Sequence, residues 1–334
     1  MFTVTAYEPA VWILMVTMFC WGSWPNLLRL TSGNWRFELF YWDYAAGLVV
    51  ASLIIALTLG TYGASGRPFI ADFLQADKSY IFSAMAAGIL FNIGNLLFVA
   101  AINYTGMGVA FPIGGGLGLI IGILTNYLAN PKGNPLLLFL GVACILTAIL
   151  FSSLAHKMAN ERKNKSTSWK GIMLSVIAGC FFGVFFRLLA SSMITNFATP
   201  EAGRLTLYTA LVMFCCGAFL STIPLNAYFM KYPLAGTKIP VNEYFRGPAK
   251  NHLLGVLAGI AWCVGLAGSL LATSPAGSAI AFGLSQGNAL VASVWGVFVW
   301  KEFKSAGPKV NPVVIIMFIG YIMGLLCMIV SGTV

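Results

Sequence analysis

The stretch "CWGSWPNLLRL", residues 20–30, closes the first long apolar segment of the chain, and a related stretch, "CFFGVFFRLLA", fills residues 180–190. Both begin with cysteine, continue through aromatic residues and reach an Arg-Leu step. Seven further matches share one offset of 171 residues: Gly88 with Gly259, Gly94 with Gly265, Gly106 with Gly277, Ala110 with Ala281, Phe111 with Phe282, Gly116 with Gly287, and Leu119 with Leu290. This common register predicts a chain built from two related halves.

The composition places both halves in a membrane. Of the 334 residues, 59% are hydrophobic and only 8% are charged, whereas a soluble domain carries about 25% charged residues. Ten apolar stretches are each long enough to cross a hydrocarbon layer of about 30 Å. They are residues 10–28, 38–59, 80–103, 107–129, 136–155, 171–193, 205–223, 253–272, 276–300 and 312–332. We therefore expect an all-α membrane protein with ten transmembrane helices.

The two halves should be inverted relative to each other. Because five spans is an odd number, the second half enters the membrane from the side opposite to the first. We expect one five-helix repeat in residues 1–155, a basic loop in residues 156–170 and a second repeat in residues 171–334. Many secondary transporters are built in this way, with the solute near the membrane midplane where the repeats meet.

The loop charges predict the orientation. The loops after odd-numbered spans hold fourteen of the nineteen Lys and Arg residues, while the other loops and both tails hold four. The positive-inside rule therefore places residues 156–170 in the cytoplasm and both termini outside a cell membrane. It also explains the net charge of +10 without nucleic-acid binding, which is the weaker alternative. The N-terminal residues carry no basic region typical of a cleaved signal peptide.

The opening stretch now has a physical interpretation. Pro25 removes a backbone donor, and freed backbone groups in a membrane are tolerated only where protein or water satisfies them. The helix that carries Trp21, Ser23, Trp24 and Asn26 should therefore face a cavity. A place in the aromatic belt at the membrane interface is the alternative for Trp24, but it does not explain Ser23 or Asn26.

The chain also resembles a known family. The pieces "GSWP", "YWDY" and "SVWGVFVWKEF" resemble plant ureide permeases and their bacterial relatives in the drug/metabolite transporter superfamily, and the likeness spans nearly the full length. The resemblance implies ten spans in two inverted halves and proton-coupled uptake of a small polar solute: a ureide, a nucleobase or a sugar. Plant members carry a long central loop with a phosphate-loop-like motif, which this chain lacks, so ATP use is not implied.

Asp43, in "YWDYAAG" of the second span, is the acidic residue of most interest. A carboxylate at membrane depth is costly, and its protonation would remove that cost, so Asp43 is a candidate for binding the coupling proton. The alternative is a structural or gating ion pair of Asp43 with Arg29 or Arg36, which the topology places on the same side. Glu38 lies nearer the surface and fits a charge at a helix N-terminus.

Other residues in the spans suit a solute that donates and accepts hydrogen bonds. Arg187 either reaches to the interface or lines the outer half of the path. The amides either bind the solute or join helices, and Gln286 with Asn288 favour the solute site. Aromatic side chains would stack on a planar solute. The remaining candidates are Asn92, Asn95, Phe111, Tyr208 and Trp262.

The competing functions come from several classes. The leading one is a secondary importer working by alternating access and driven by the proton motive force, in contact with lipid and a small polar solute. An exporter of drugs or metabolites within the same superfamily is the alternative. An enzyme would need a catalytic or metal-binding cluster, and only His156 and His252 are present, without metal spacing. A channel would be expected to show a repeated filter motif, which is not found in this sequence. The sequence does not set the oligomeric state.

Overall fold

A computed structural model describes residues 1–32, 35–159, 168–197, 199–233 and 237–334. Ten long helices, α1 to α10, are apolar enough to span a membrane, and they confirm the predicted all-α membrane fold. They are Tyr7–Arg29, Phe37–Leu57, Lys78–Thr105, Met107–Ala129, Pro135–Ala159, Trp169–Ser192, Leu207–Lys231, Ala249–Leu271, Ser278–Val299 and Asn311–Ser331. Three basic residues of the predicted 156–170 loop, Arg162, Lys163 and Lys165, lie outside the described residues.

The predicted ends are close for nine helices and wrong for α7. The predicted seventh span stops at residue 223, but α7 continues through Pro224 and ends at Lys231. Proline is tolerated inside membrane helices because neighbouring groups satisfy the freed carbonyl. The polar residues after Pro224 therefore extend a helix instead of forming a loop.

The outer faces of the bundle are apolar. Trp12 on α1 is 68% exposed, Phe82 on α3 is 65% exposed and Leu150 on α5 is 61% exposed. Water would leave these side chains unfavourably solvated, whereas hydrocarbon covers them without cost. These faces are the lipid-facing surface of the protein.

Helix packing follows the pattern that two related halves require. Helix α3 packs on α6 and α7, and its expected counterpart α8 packs on α1 and α2. Helices α4 and α9 likewise pack on α6 and α1, while α5 pairs with α10 and α2 with α7. Exchanging the first five helices with the last five leaves this set of pairs unchanged. The exchange supports the predicted repeat, although the inverted relation and its boundaries stay predictions.

Glycines at the crossings obey the same exchange. A Cβ atom on Gly88 would clash with a backbone carbonyl oxygen of α7. One on Gly259 would clash in the same way with a backbone carbonyl oxygen of α2. Gly47 meets the α8 backbone and Gly217 meets the α3 backbone in the same way. Small residues let membrane helices approach backbone to backbone. These four glycines therefore define two close crossings, α3 with α7 and α2 with α8.

The fourth helix of each half is irregular where it passes the middle of the bundle. Helix α4 contains a π-helical segment, Phe111–Gly115. Helix α9 is interrupted at Gln286 and Gly287, between the segments Ser278–Ser285 and Asn288–Val294. The turns before both helices contain a glycine with positive φ, Gly106 at 79° and Gly277 at 82°. Irregular backbone at membrane depth is tolerated where it lines a cavity.

Candidate functional site

A cavity of about 630 Å³ runs from the middle of the bundle to the end where α1, α3, α5, α7 and α9 finish. We call this end the basic-loop end and the opposite end the tail end. The volume lies in the range typical of small-molecule sites, about 300–1,000 Å³. The irregular segments of α4 and α9 both reach the cavity, through Phe111, Gly115, Gln286 and Asn288.

The deep end of the cavity is a cluster of aromatic rings. Trp262 of α8 stacks on Trp21 of α1, with ring centroids 5.4 Å apart and planes 15° apart. The indole Nε1 of Trp21 also donates to the backbone carbonyl of Trp262, at 3.0 Å. Phe91 lies 4.3 Å from the Trp262 ring centroid, and Phe185 and Phe282 complete the lining. Flat apolar faces of this kind suit a planar ring or the apolar face of a sugar.

Three amides stand above this aromatic floor. Gln286 and Asn288 are half-buried, and no hydrogen-bond partner for either side chain occurs in the described ranges. Asn95 of α3 donates to the hydroxyl of Tyr41 at 3.0 Å, which fixes the orientation of its amide. Because an amide donates and accepts, the unpartnered groups are available to a solute that does the same.

Eight of the twelve residues predicted to bind solute line the cavity. They are Trp21, Trp24, Asn26, Asn95, Phe111, Trp262, Gln286 and Asn288. The interrupted helix α9 and the polar end of α1 therefore face the same space. This placement brings together residues from both halves of the chain.

The other four predicted residues do not line it. Ser23 accepts a hydrogen bond from Trp295 Nε1 at 2.9 Å, and Asn92 accepts one from Tyr41 at 2.7 Å. Tyr208 donates to the carbonyl of Phe2 at the tail end, at 2.9 Å. Arg187 is half-buried on α6, away from the cavity lining. The polar groups of Ser23, Asn92 and Tyr208 thus have partners within the protein, which is the alternative to solute binding for polar groups in spans.

The two ends of the bundle differ. At the tail end, the turn at Gly277 packs against Lys132, whose ammonium donates to the carbonyl of Ser274 at 2.9 Å. At the basic-loop end, the matching turn at Gly106 is open, because an added Cβ atom would meet nothing within 4 Å. The cavity lining includes Arg29, His156 and Glu302 at the basic-loop end and no described residue of the tail-end loops. The cavity is therefore closed towards the tails and open towards the basic-loop end.

Asp43 lies outside the cavity lining, in a cluster between α2 and the start of α8. It is 4% exposed. Its carboxylate accepts a hydrogen bond from the Tyr244 hydroxyl at 2.6 Å, and it lies 2.9 Å from Nδ1 of His252. Burial and the contact with Asp43 raise the pKa of Tyr244 above its ordinary value. The rings of Tyr244 and Trp35 pack edge-on against His252.

The predicted pair of Arg29 with Asp43 is therefore wrong in this conformation, and Arg36 is not the partner either. Arg36 pairs with Glu38 at 2.5 Å. The sequence did not indicate His252 as the partner, because the contact depends on how the loop before α8 folds back. That loop places the short helix Asn242–Phe245 over the start of α2.

Arg29 instead pairs with Glu302, at the mouth of the cavity. The guanidinium also lies 5.1 Å from the ring centroid of Trp300, whose indole donates to Asn26. On the other side, Nε2 of His156 lies 3.5 Å from Glu302 Oε2. His156 and Arg29 lower the pKa of Glu302 below its ordinary value. No role is predicted from the sequence for Glu302, which follows the predicted ninth span; the useful signal is that both histidines lie at span ends on one side.

The described residues contain no group of three His, Cys, Asp or Glu side chains that could hold a metal ion. The cavity thus offers stacking surfaces, amides and one cluster of charged groups. It is suited to binding a small polar molecule.

Comparisons with known proteins agree with this reading. The sequence model of the ureide permease family matches residues 40–170 and 162–331. Ureide permease 1 of Arabidopsis thaliana is 25% identical, with 99% of both chains covered. A putative sugar uptake protein of Streptococcus pyogenes is 28% identical over 65% of this chain and 68% of its own. A crystal structure with 13% identity shares the fold, with a TM-score of 0.59 over 96% of each chain.

Proposed function

The chain belongs to the ureide permease family of multi-pass membrane transporters, and from this premise we propose that it imports its small polar solute by proton symport and alternating access. The proposed location is a cell membrane, with both termini outside and the basic-loop end in the cytoplasm. Ureides, nucleobases and sugars are the solute classes to test. The driving force would be the proton motive force.

The observation that carries the proposal is the cavity itself. Its floor is aromatic, and the unpartnered amides of Gln286 and Asn288 face it from an interrupted helix. A solute that lies flat on Trp262 would present its polar edge to these amides. Both halves of the chain contribute, as expected where two repeats meet at the membrane midplane.

The open basic-loop end supports alternating access. With that end in the cytoplasm, the structure corresponds to an inward-open state. In the outward-open state, the Gly106 turn would close as the Gly277 turn does here, and the Gly277 turn would open. A ligand shifts such an equilibrium only by its difference in affinity for the two states.

Asp43 is the proposed coupling carboxylate. It is buried, and its partners His252 and Tyr244 come from the second half of the chain. A proton on Asp43 would remove the charge that holds these groups together. Since the carboxylate does not line the cavity, the proton would act by changing how α2 packs on α8, not by touching the solute.

A thermal-shift screen tests the solute class. Purified protein would be heated with ureides, nucleobases, nucleosides and monosaccharides, because a ligand stabilises the state that it binds. At 100 times its Kd, a ligand adds about 2.7 kcal/mol to the free energy of unfolding. No stabilisation by any of these classes would contradict the proposal.

A transport assay tests the coupling. In proteoliposomes, Asp43→Asn should retain solute exchange and lower the accumulation driven by a pH gradient. The matched control is Asp77→Asn, because Asp77 is exposed at the tail end. Accumulation in folded Asp43→Asn that equals the wild-type value would exclude the coupling role. The direction of the pH gradient that drives uptake also separates import from export.

A further inference from the structure

We propose that Glu302 and His156 form a second proton-binding site, placed on the solute path at the cavity mouth. The proposal rests on the proposed symport and adds a site to it. Asp43 can carry a separate proton of its own. The two histidines of the chain thus each face a carboxylate, and only this pair borders the cavity.

The hydrogen bonds of His156 show where a proton is needed. Its Nδ1 lies 2.8 Å from the backbone carbonyl of Ser152, which can only accept, so Nδ1 carries a proton. Nε2 faces the Glu302 carboxylate at 3.5 Å. A neutral ring would therefore point a lone pair at a negative oxygen. One further proton, on Nε2 or on the carboxylate, removes this repulsion.

Charged groups reach Glu302 from each element around it. Helix α1 contributes Arg29, which bonds to the other carboxylate oxygen, and α5 contributes His156. On the loop that carries Glu302, Lys301 and Lys304 are exposed. No other acidic side chain lines the cavity within the described parts of the chain. Glu302 is thus the one described carboxylate that a solute in the cavity can approach.

The three groups stand on separate elements, so their distances depend on conformation. With His156 holding the shared proton on Nε2 and Arg29 close, the carboxylate itself is ionised, and the lowered pKa of Glu302 agrees with this. The proton of the site then lies on the imidazole at the cavity mouth, from which it leaves to the side where the cavity opens. If α1 moves away from the α9–α10 loop in the outward-open state, the carboxylate loses the guanidinium and takes up a proton again.

The test measures accumulation in proteoliposomes loaded against a gradient of one pH unit, with radiolabelled allantoin or uracil as the probe. Each coupled proton contributes a factor of about ten to the accumulation limit at this gradient. Glu302→Gln should lower accumulation by about tenfold and keep solute exchange. The matched control is Glu201→Gln, because Glu201 pairs with Arg204 at the tail end.

Wild-type accumulation that Glu302→Gln leaves unchanged would overturn the site while leaving the symport intact. A wild type that exchanges solute but never accumulates it would overturn the symport, and the site with it. Should Glu302→Gln fail to fold, Arg29→Gln provides the second measurement. Loss of the guanidinium should shift the midpoint of the pH dependence of uptake to higher pH, and an unshifted midpoint would also overturn the proposal.

Discussion

The pairing of Asp43 with His252 can be tested by its energy, without knowing the solute. Asp43→Ala removes a carboxylate that accepts from Tyr244 at 2.6 Å and contacts His252 Nδ1 at 2.9 Å. Its side chain is only 6% exposed, so water replaces these partners poorly. Breaking a buried pair from one side costs about 3–5 kcal/mol of unfolding free energy.

A double-mutant cycle isolates the pair itself. His252→Ala and the double variant Asp43→Ala/His252→Ala complete the cycle, measured as unfolding free energies in detergent at neutral pH. A hydrogen bond to a charged group contributes about 1.5–3 kcal/mol, and we expect a coupling energy of this size. The matched control is a second cycle that combines Asp43→Ala with Arg29→Ala. Arg29 pairs with Glu302 and not with Asp43. These two changes share no partner and should add within about 0.5 kcal/mol.

The two cycles together can refute the pairing of Asp43 with His252. Coupling between Asp43 and Arg29 that equals or exceeds the coupling between Asp43 and His252 would mean that the gating pair exists in the dominant state. Additive behaviour in both cycles would mean that the cluster around Asp43 adds no stability.

Further outcomes follow from other parts of the structure. Gln286→Ala should weaken solute binding by about 1–3 kcal/mol, or about 5-fold to 150-fold in Kd by calorimetry, because a polar solute group loses its partner; unchanged affinity would make this amide a packing residue. Gly259→Ala should lower the melting temperature, because its Cβ would clash with the α2 backbone, whereas Gly108→Ala, with its closest contact at 3.4 Å, should not; equal melting temperatures would contradict the close crossing. In a cysteine-free background, Lys170→Cys in intact cells should resist an impermeant maleimide, and labelling from outside would reverse the topology. Because the pKa of Glu302 is lowered from 4.5 in the folded state, its stabilising contribution is lost as the pH falls below that value; Glu302→Gln should flatten the acid side of the melting profile, and an unchanged profile would contradict the assigned contacts.

The membrane fold could be predicted from the sequence because span formation depends on local properties. An apolar run of about 20 residues must satisfy its own backbone in lipid, whatever its neighbours are. The end of α7 was missed because Pro224 resembles a stop signal in the sequence, while its effect in the bundle depends on packing. The matched glycine register is visible in the sequence. The structure gives a reason for one match, because Gly106 and Gly277 share a backbone conformation with positive φ.

The candidate site could be predicted only in part. Trp24 and Asn26 were identified because polar groups beside a proline are hard to place against lipid. Tyr208 is predicted to bind solute because it is a polar residue inside a span, yet its hydroxyl bonds to the Phe2 carbonyl. A polar atom in a span needs a partner, but the sequence does not say whether that partner is backbone, side chain or solute. The partner of Asp43 was missed for this reason.

The close crossings of α2 with α8 and of α3 with α7 have a consequence for how the sequence can diverge. Each glycine meets a carbonyl oxygen of the opposite helix, and every amino acid supplies that oxygen. Drift on the facing side therefore leaves the contact intact, while a single added methyl group on the glycine side removes it. Saturation mutagenesis should show this asymmetry as wide tolerance at Val256 and narrow tolerance at Gly47, although the two positions touch. Neighbours in space would then evolve at different rates.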